Sequence, residues 1–337
     1  MRKKGIMRRT LEPELRKLLN QAEQAGTCLV PPSKRIYEAL SRRRWTYGGE
    51  PAVVCPQRGI FARATYWESL NPAERTLHAV RALAIKHPNW VFSDVTAAVV
   101  RGWDVSYALL EDLHRCSTYH CRTKAAVNHV TKALTHEVVG GVPITSTEQT
   151  LFDCISNRDL RLSLPIVDSA LRCLDLTPSE AMALIIACEP LQKRKRFKHV
   201  LNVLSLADPR SENGGESFAR AAMIALGFAI PELQAEYVDP IEPSRRMRAD
   251  FKWTLPDGSV VLGELDGKQK YTDAEMTNGK DIADVLRAER LRESRLTLSG
   301  ARIMRFSFND VCDTCYFSRL LEAYGICLLY TSDAADD

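Results

Sequence analysis

Asp250, Glu264, Asp266 and Lys268 are the residues of this chain whose types and spacing could do chemistry. They flank a Pro256-Asp257-Gly258 turn set between two apolar-rich runs. Proline presets φ in such a turn and glycine accepts φ > 0, so the stretch predicts a hairpin with Leu255 opposite Ser259. If the turn is three residues long, each outward step keeps that register and Asp250 stands opposite Glu264. Directly opposed side chains have Cβ atoms roughly 5 Å apart. Two carboxylates at that range repel, and a fold that keeps them there shares a cation between them. Asp266 and Lys268 follow Glu264 at period two and share its face while the strand lasts. The chemistry is that of a divalent metal with a lysine beside it. The alternative is a solvated edge hairpin of mixed charge, since another loop length would change the pairing.

The elements that must position these residues lie on either side. Asn213-Gly-Gly-Glu216-Ser217 opens a helix through Phe218, Ala222 and Leu226, with Gly227 as its stop. Pro231 to Val238 reads as a strand, followed by the hairpin. A helix over about 281–298 carries Glu289, Arg290, Arg292 and Glu293, then come an alternating strand from Ala301 and a terminal helix. The order α-β-β-β-α-β-α predicts a mixed sheet flanked by helices over residues 205–326. In residues 71–204 the sequence predicts a helix capped at Asn71 and ended by His87-Pro88, and a strand from Val91 turning into a small-residue helix. A strand at Val142 follows, with a helix capped by Ser146 or Thr147 and another over Leu164 to Leu174. In residues 1–70, two helices are followed by a hairpin over Ala52 to Arg63, an arrangement that makes a winged helix-turn-helix.

A chain of 337 residues, 45% hydrophobic and 26% charged, is an ordinary globular protein of two or three domains. The fold class expected is α+β: a winged helix-turn-helix, a mixed α/β middle region, and the C-terminal sheet with its helices. No apolar run reaches membrane-spanning length, and the basic start has no apolar h-region behind it, so a cytoplasmic protein with no membrane partner is expected. Residues 1–63 hold fourteen Lys/Arg against five Glu, a net +9 within a total of +4. A polyanion such as DNA is one partner that fits this head, with Arg42, Arg43, Arg44, Arg58 and Arg63 as contacts to phosphate. A solubilising basic arm is the other reading. The basic run Lys193 to His199 reads as surface or linker, with a second phosphate contact as the alternative. The ten cysteines fit reduced thiols. Cys116 and Cys121 near His114 and His120, and the lone Cys312-Asp-Thr-Cys315, lack the paired spacing of a zinc site, and the seven histidines look dispersed.

With these residues in this order, residues 211–315 resemble the very-short-patch-repair-like branch of the PD-(D/E)xK nuclease superfamily. The resemblance rests on Gly-Glu216-Ser, Gln234, Ala-Asp250-Phe, Glu264-Leu-Asp266-Gly, Glu289-Arg-Leu-Arg-Glu293 and Arg305. It implies a restriction-endonuclease-like fold and Mg²⁺-dependent phosphodiester hydrolysis. Asp250 and Glu264 would hold the metal with the Leu265 carbonyl, and Glu216 would add a carboxylate through water. The superfamily lysine should stand two residues after Glu264, where this chain has Asp266; Lys268 or Lys270 would have to reach in instead. The family acid at the end of the long helix is replaced by Ser294. Residues 30–200 resemble the AbiEi-type antitoxins of actinobacteria, through Arg58-Gly-Ile-Phe-Ala, Tyr66-Trp67, Ser93 to Ala98 and Val142-Pro-Ile-Thr145-Ser146. That resemblance implies a toxin-antitoxin or phage-defence setting, with a toxin or defence-system protein as a partner. It also allows a non-catalytic transcriptional regulator carrying a degenerate nuclease fold. Residues 327–337 resemble translated sequencing-adaptor DNA and are set apart from the fold.

Overall fold

The computed structural model describes residues 2–42, 52–119, 126–131, 135–266 and 291–329, apart from 292, 293, 296 and 299. Arg43, Arg44, Cys121, Lys268, Lys270, Glu289, Arg290, Arg292 and Glu293 lie outside the described residues. The fold is α+β, as expected. Where the sequence suggests three domains, the chain forms two compact units: Met1–Asn157 with Ala183–Val200, and Arg158–Met182 with Leu201–Asp337.

The first unit begins with α1 (Arg2–Gln24) and α2 (Lys34–Arg42), then an antiparallel hairpin of β1 (Val53–Val54) and β2 (Ala62–Arg63) and the short α3 (Ala64–Ser69). Leu15, Leu19, Ile36, Leu40, Val53 and Phe61 close one core between the helices and the hairpin. A lone bridge joins Leu29 to Phe61, so the segment between the helices runs alongside the hairpin. The Asn71 side chain and Glu74 form a reciprocal capping box at the start of α4 (Pro72–Lys86), which satisfies orphan N–H groups of the first turn.

Behind α4 lies a five-stranded sheet in the order β5-β4-β3-β7-β6. It comprises β3 (Val91–Phe92), β4 (His114–Ser117), β5 (Val127–Val130), β6 (His136–Val139) and β7 (Val142–Thr145). Helices α5 (Asp94–Val100) and α6 (Thr147–Ser156) follow β3 and β7, and Ser146 caps α6 by accepting from the Gln149 N–H. The sequence marks β3 and β7 but not β4, β5 and β6. These last are four residues each, and the exposed faces of β5 and β6 leave little apolar alternation to read.

The second unit takes α7 (Leu160–Leu174) from before the boundary suggested by composition. Helix α8 (Pro178–Ala187) and α10 (Phe197–Ser205) each straddle a unit boundary, with α9 (Glu189–Gln192) between them. Helix α7 packs along α11 (Gly214–Ala225), and the two share a buried ion pair: Arg220 Nη2 lies 2.8 Å from Asp168 Oδ2. Asp168 also accepts the Asp208 N–H at 2.8 Å, and Arg220 donates to the Leu206 carbonyl at 2.7 Å. This apolar helix with a charged pair at its centre belongs to the C-terminal core, so that unit takes Arg158–Met182 and resumes at Leu201.

The sheet of this unit runs β11-β10-β9-β8, from β8 (Glu232–Val238), β9 (Arg246–Thr254), β10 (Val260–Asp266) and β11 (Arg302–Ser307). Strands β8, β9 and β10 are antiparallel in turn, and β11 adds in parallel to β10. Phe251, Trp253, Val261, Met304 and Phe306 pack with Met223, Phe317 and Leu321 in the core. Two short helices, α12 (Phe308–Cys312) and α13 (Thr314–Ala323), close the unit. Cys327, Leu328 and Leu329, set apart in the sequence, pair with the backbone of Gly227 to Ala229. Among the described residues no helix is long and apolar enough to cross a membrane.

Candidate active site

The hairpin turn forms as the residue types require. The Leu255 N–H donates to the Ser259 carbonyl at 2.8 Å, and Gly258 takes φ +81°, a conformation that glycine adopts without a Cβ penalty. The register then runs Thr254 to Val260, Trp253 to Val261, Lys252 to Leu262 and Phe251 to Gly263. A Cβ at Gly263 would come within 3.1 Å of the Phe251 Cβ and 3.0 Å of the Trp253 ring, so a side chain there would push both aromatics outward. One step further along this register stand Asp250 and Glu264.

At that step the ladder ends. Leu255 and Ser259 are a hydrogen-bonded pair, so by alternation the Leu265 N–H would next meet the Ala249 carbonyl. Instead it donates to Asp250 Oδ2 at 2.9 Å. The Asp250 carboxylate thus takes over a backbone acceptor's place, and the strands part around the two acids. Glu264 is buried at 9% exposure; Asp250 is half-buried.

Helix α11 brings the third carboxylate. Asn213 caps the helix by accepting from the N–H groups of Gly215 and Glu216, and a Cβ at Gly215 would sit 3.3 Å from the Leu265 side chain. The first turn of α11 therefore lies against the end of β10. Glu216, 4% exposed, accepts from the Glu212 N–H at 2.8 Å, Asn213 Nδ2 at 2.6 Å and Gln234 Nε2 at 2.8 Å. Its carboxyl is raised from 4.5 to about 7. Burial is the largest cause, the Glu212 N–H opposes it, and the negative charge of Asp250 adds to the rise.

Gln234 completes the group. In the β8–β9 register it falls opposite Asp250, between the pairs Leu233–Phe251 and Ala235–Ala249, and it takes a left-handed φ of +53°. Its Oε1 is buried with no hydrogen-bond partner among the described residues. On the other side of β10, Glu264 is in register with Arg305. Gln234, Asp250, Glu264 and Arg305 thus form one row across four strands, with Glu216 above its β8 end. Asp266 is engaged by Arg305, whose Nε lies 3.1 Å from Asp266 Oδ1. Lys268 lies outside the described residues.

The raised Glu216 carboxyl has a stability consequence. A carboxyl whose folded pKa exceeds its unfolded value contributes stability that is fully present below about 4.5 and is lost as pH rises through about 7. The second unit should therefore lose on the order of 2 kcal/mol between pH 5 and pH 8, followed by Trp253 fluorescence in denaturant titrations. Glu216→Gln should flatten that profile; an equally steep profile in the variant would rule out Glu216 as its source.

The proposed phosphate contacts differ in their engagement. Arg63 is held by Glu23 at 3.1 Å and by Asn20 at 2.7 Å. Arg42 sits 3.5 Å from Glu38, both exposed. Arg58 is exposed at the hairpin tip, where its carbonyl accepts from Lys86 Nζ. Arg63 therefore braces α1 against β2, while Arg42 and Arg58 face solvent.

Sequence reasoning missed a second cluster, in the first unit. Asp94, His114 and His129 bring one ligand atom each within 4.8 Å of one another, and they are the one such group of three or more His, Cys, Asp or Glu among the described residues. Glu216, Asp250 and Glu264 do not gather that tightly. The histidines look scattered in the chain because β5, which carries His129 beside β4, has no readable strand pattern.

No family model, no curated protein and no solved structure matches the chain.

Proposed function

We propose that the second unit hydrolyses phosphodiester bonds in DNA with Mg²⁺, and that the basic head of the first unit holds the duplex. The observation that carries this reading is the row Gln234–Asp250–Glu264 with Glu216 beside it: oxygen ligands on three strands and a helix, at the point where two strands part. The donor set suits Mg²⁺, which takes one or two carboxylates and keeps several waters. The buried, unpartnered Oε1 of Gln234 is an acceptor placed for such a water. Asp250 and Glu264 would hold the ion, which supplies Lewis-acid polarisation of the scissile phosphate.

The chain's own residues do the rest. Asp250 is fixed by the Leu265 N–H, so its carboxylate is oriented before substrate arrives. Glu216, whose carboxyl is raised to about 7, can take a proton from a water bound at the unpartnered Oε1 of Gln234. Arg305, drawn to Asp266, places a cation beside Glu264 where negative charge grows in the transition state. Purified protein should nick supercoiled plasmid with Mg²⁺ and cease when EDTA is added; plasmid left intact at every divalent-ion concentration would defeat the reading.

One observation favours a second reading, a DNA-binding regulator without catalysis: Asp266 stands where a lysine is needed and is already paired with Arg305. In that case duplex binding persists without cutting. The affinity should fall with salt at a log–log slope of about −0.9 per phosphate neutralised. A flat salt response in a fluorescence-anisotropy titration would dismiss the basic head as a DNA contact in both readings. A toxin or defence-system protein as partner belongs to either reading.

A further inference from the structure

We propose that Asp94, His114 and His129 of the first unit bind one divalent transition-metal ion of the Zn²⁺ class. This inference stands independently of the acidic row in the second unit.

Three elements converge on the site. Helix α5 starts at Asp94 directly after β3, and β4 hydrogen-bonds to β3 with its Cα register at Val91–Cys116 and Phe92–Arg115. The Ser93 N–H donates to the His114 carbonyl and the His114 N–H donates to Thr96 Oγ1 at 2.8 Å, so the first turn of α5 is tied to the start of β4. Strand β5 lies parallel beside β4 with Val127 opposite His114 and His129 opposite Cys116. His129 is therefore the diagonal neighbour of His114 on one face of the sheet.

The separations decide what the cluster can hold. His114 Nδ1 lies 2.8 Å from His129 Nε2, and Asp94 Oδ2 lies 3.5 Å and 3.9 Å from those nitrogens. A metal at about 2.0–2.2 Å from each donor allows ligand atoms to be at most about 4.2 Å apart. All three separations fall below that limit, and the shortest is close to a right-angled ligand edge. The two rings lie nearly parallel, 16° apart, with centroids 5.1 Å apart and the two nitrogens facing each other, so the ion would enter by prising this contact open.

The donor types select the metal. Two imidazoles and a carboxylate suit Zn²⁺, Fe²⁺, Co²⁺ or Ni²⁺ and not Mg²⁺ or Ca²⁺, which take oxygen. Cys116 shares the face of His114 but is not among the three residues whose ligand atoms gather. Asp153, whose charge reaches Asp94, is occupied by Arg194 at 2.9 Å and Gln149 at 2.7 Å. Three protein ligands leave coordination positions for water, and the His129 side chain, 39% exposed, opens the site to solvent. Asp94 is held at φ +54° with 5% exposure, a strained conformation that persists only where its surroundings fix it.

The test is a Zn²⁺ titration of the full chain after stripping with chelator, read by calorimetry, with Co²⁺ absorption as a second probe. The expected result is one equivalent bound by the Asp250→Ala/Glu264→Ala protein, which lacks the acidic pair of the second unit. Placing Asp94→Asn or His129→Ala in that same background should weaken Zn²⁺ at least about tenfold. Asparagine also accepts left-handed φ, so Asp94→Asn keeps the backbone and separates lost ligation from lost folding. No stoichiometric uptake, or uptake unchanged by both substitutions, would overturn the proposal and leave a proton-sharing histidine pair.

Discussion

Asp250→Ala should abolish Mg²⁺-dependent plasmid nicking, lowering the rate at least about 100-fold, while duplex binding by the same protein stays within about twofold of wild type. The effect is large because Asp250 does two things at once. It is one of two carboxylates proposed to hold the ion, and it accepts the Leu265 N–H in place of a strand partner. Asp250→Asn separates these roles. Its amide oxygen can still accept from Leu265, so β10 keeps its position, but the charge that draws the cation is gone. Both variants should be inactive and only the alanine variant should loosen the hairpin. An Asp250→Asn protein that still cuts at the wild-type rate would remove Asp250 from the proposed chemistry.

The second large effect concerns stability. Asp168→Ala should cost the second unit about 3–5 kcal/mol, because it strands the Arg220 guanidinium, 3% exposed, in an apolar helix–helix contact. Asp168 has no exposed surface and also accepts the Asp208 N–H, so the loss propagates to the turn before α11. Replacing both partners, Asp168→Leu with Arg220→Met, should recover part of the loss by removing the unpaired charge, while the Asp208 N–H and the Leu206 carbonyl stay without their partners. Trp253, the one tryptophan of the second unit, reports its unfolding in denaturant. A cost below about 1 kcal/mol for Asp168→Ala would show that the pair is solvated in solution.

The hairpin was legible because its signals are local. Pro256-Asp257-Gly258 specifies the turn, and the turn sets the register as far as Phe251–Gly263. What could not be read is the ending of that register, because the Asp250 side chain displaces a backbone carbonyl, and nothing in a strand pattern encodes such an exchange. The Asn71, Ser146 and Asn213 caps were readable for the same local reason. Membership of α7 in the C-terminal core was not, since it rests on Asp168 meeting Arg220 across 52 residues. The Asp94–His114–His129 cluster was invisible for a related cause. Its members sit 20 and 15 residues apart on a helix start and two short strands, and only the pairing of β4 with β5 joins them.

Gln234 carries a consequence of its own. A non-glycine residue at left-handed φ inside a strand costs on the order of 1–3 kcal/mol. Its neighbours Leu233 and Ala235 keep their β9 partners Phe251 and Ala249, so the register does not slip to relieve it. That conformation lets Nε2 reach Glu216. Selection for thermal robustness and selection for a well-held carboxylate therefore pull against each other at this position. Directed evolution for heat tolerance alone would be expected to trade the glutamine for glycine early, and to erode the acidic row as it did so.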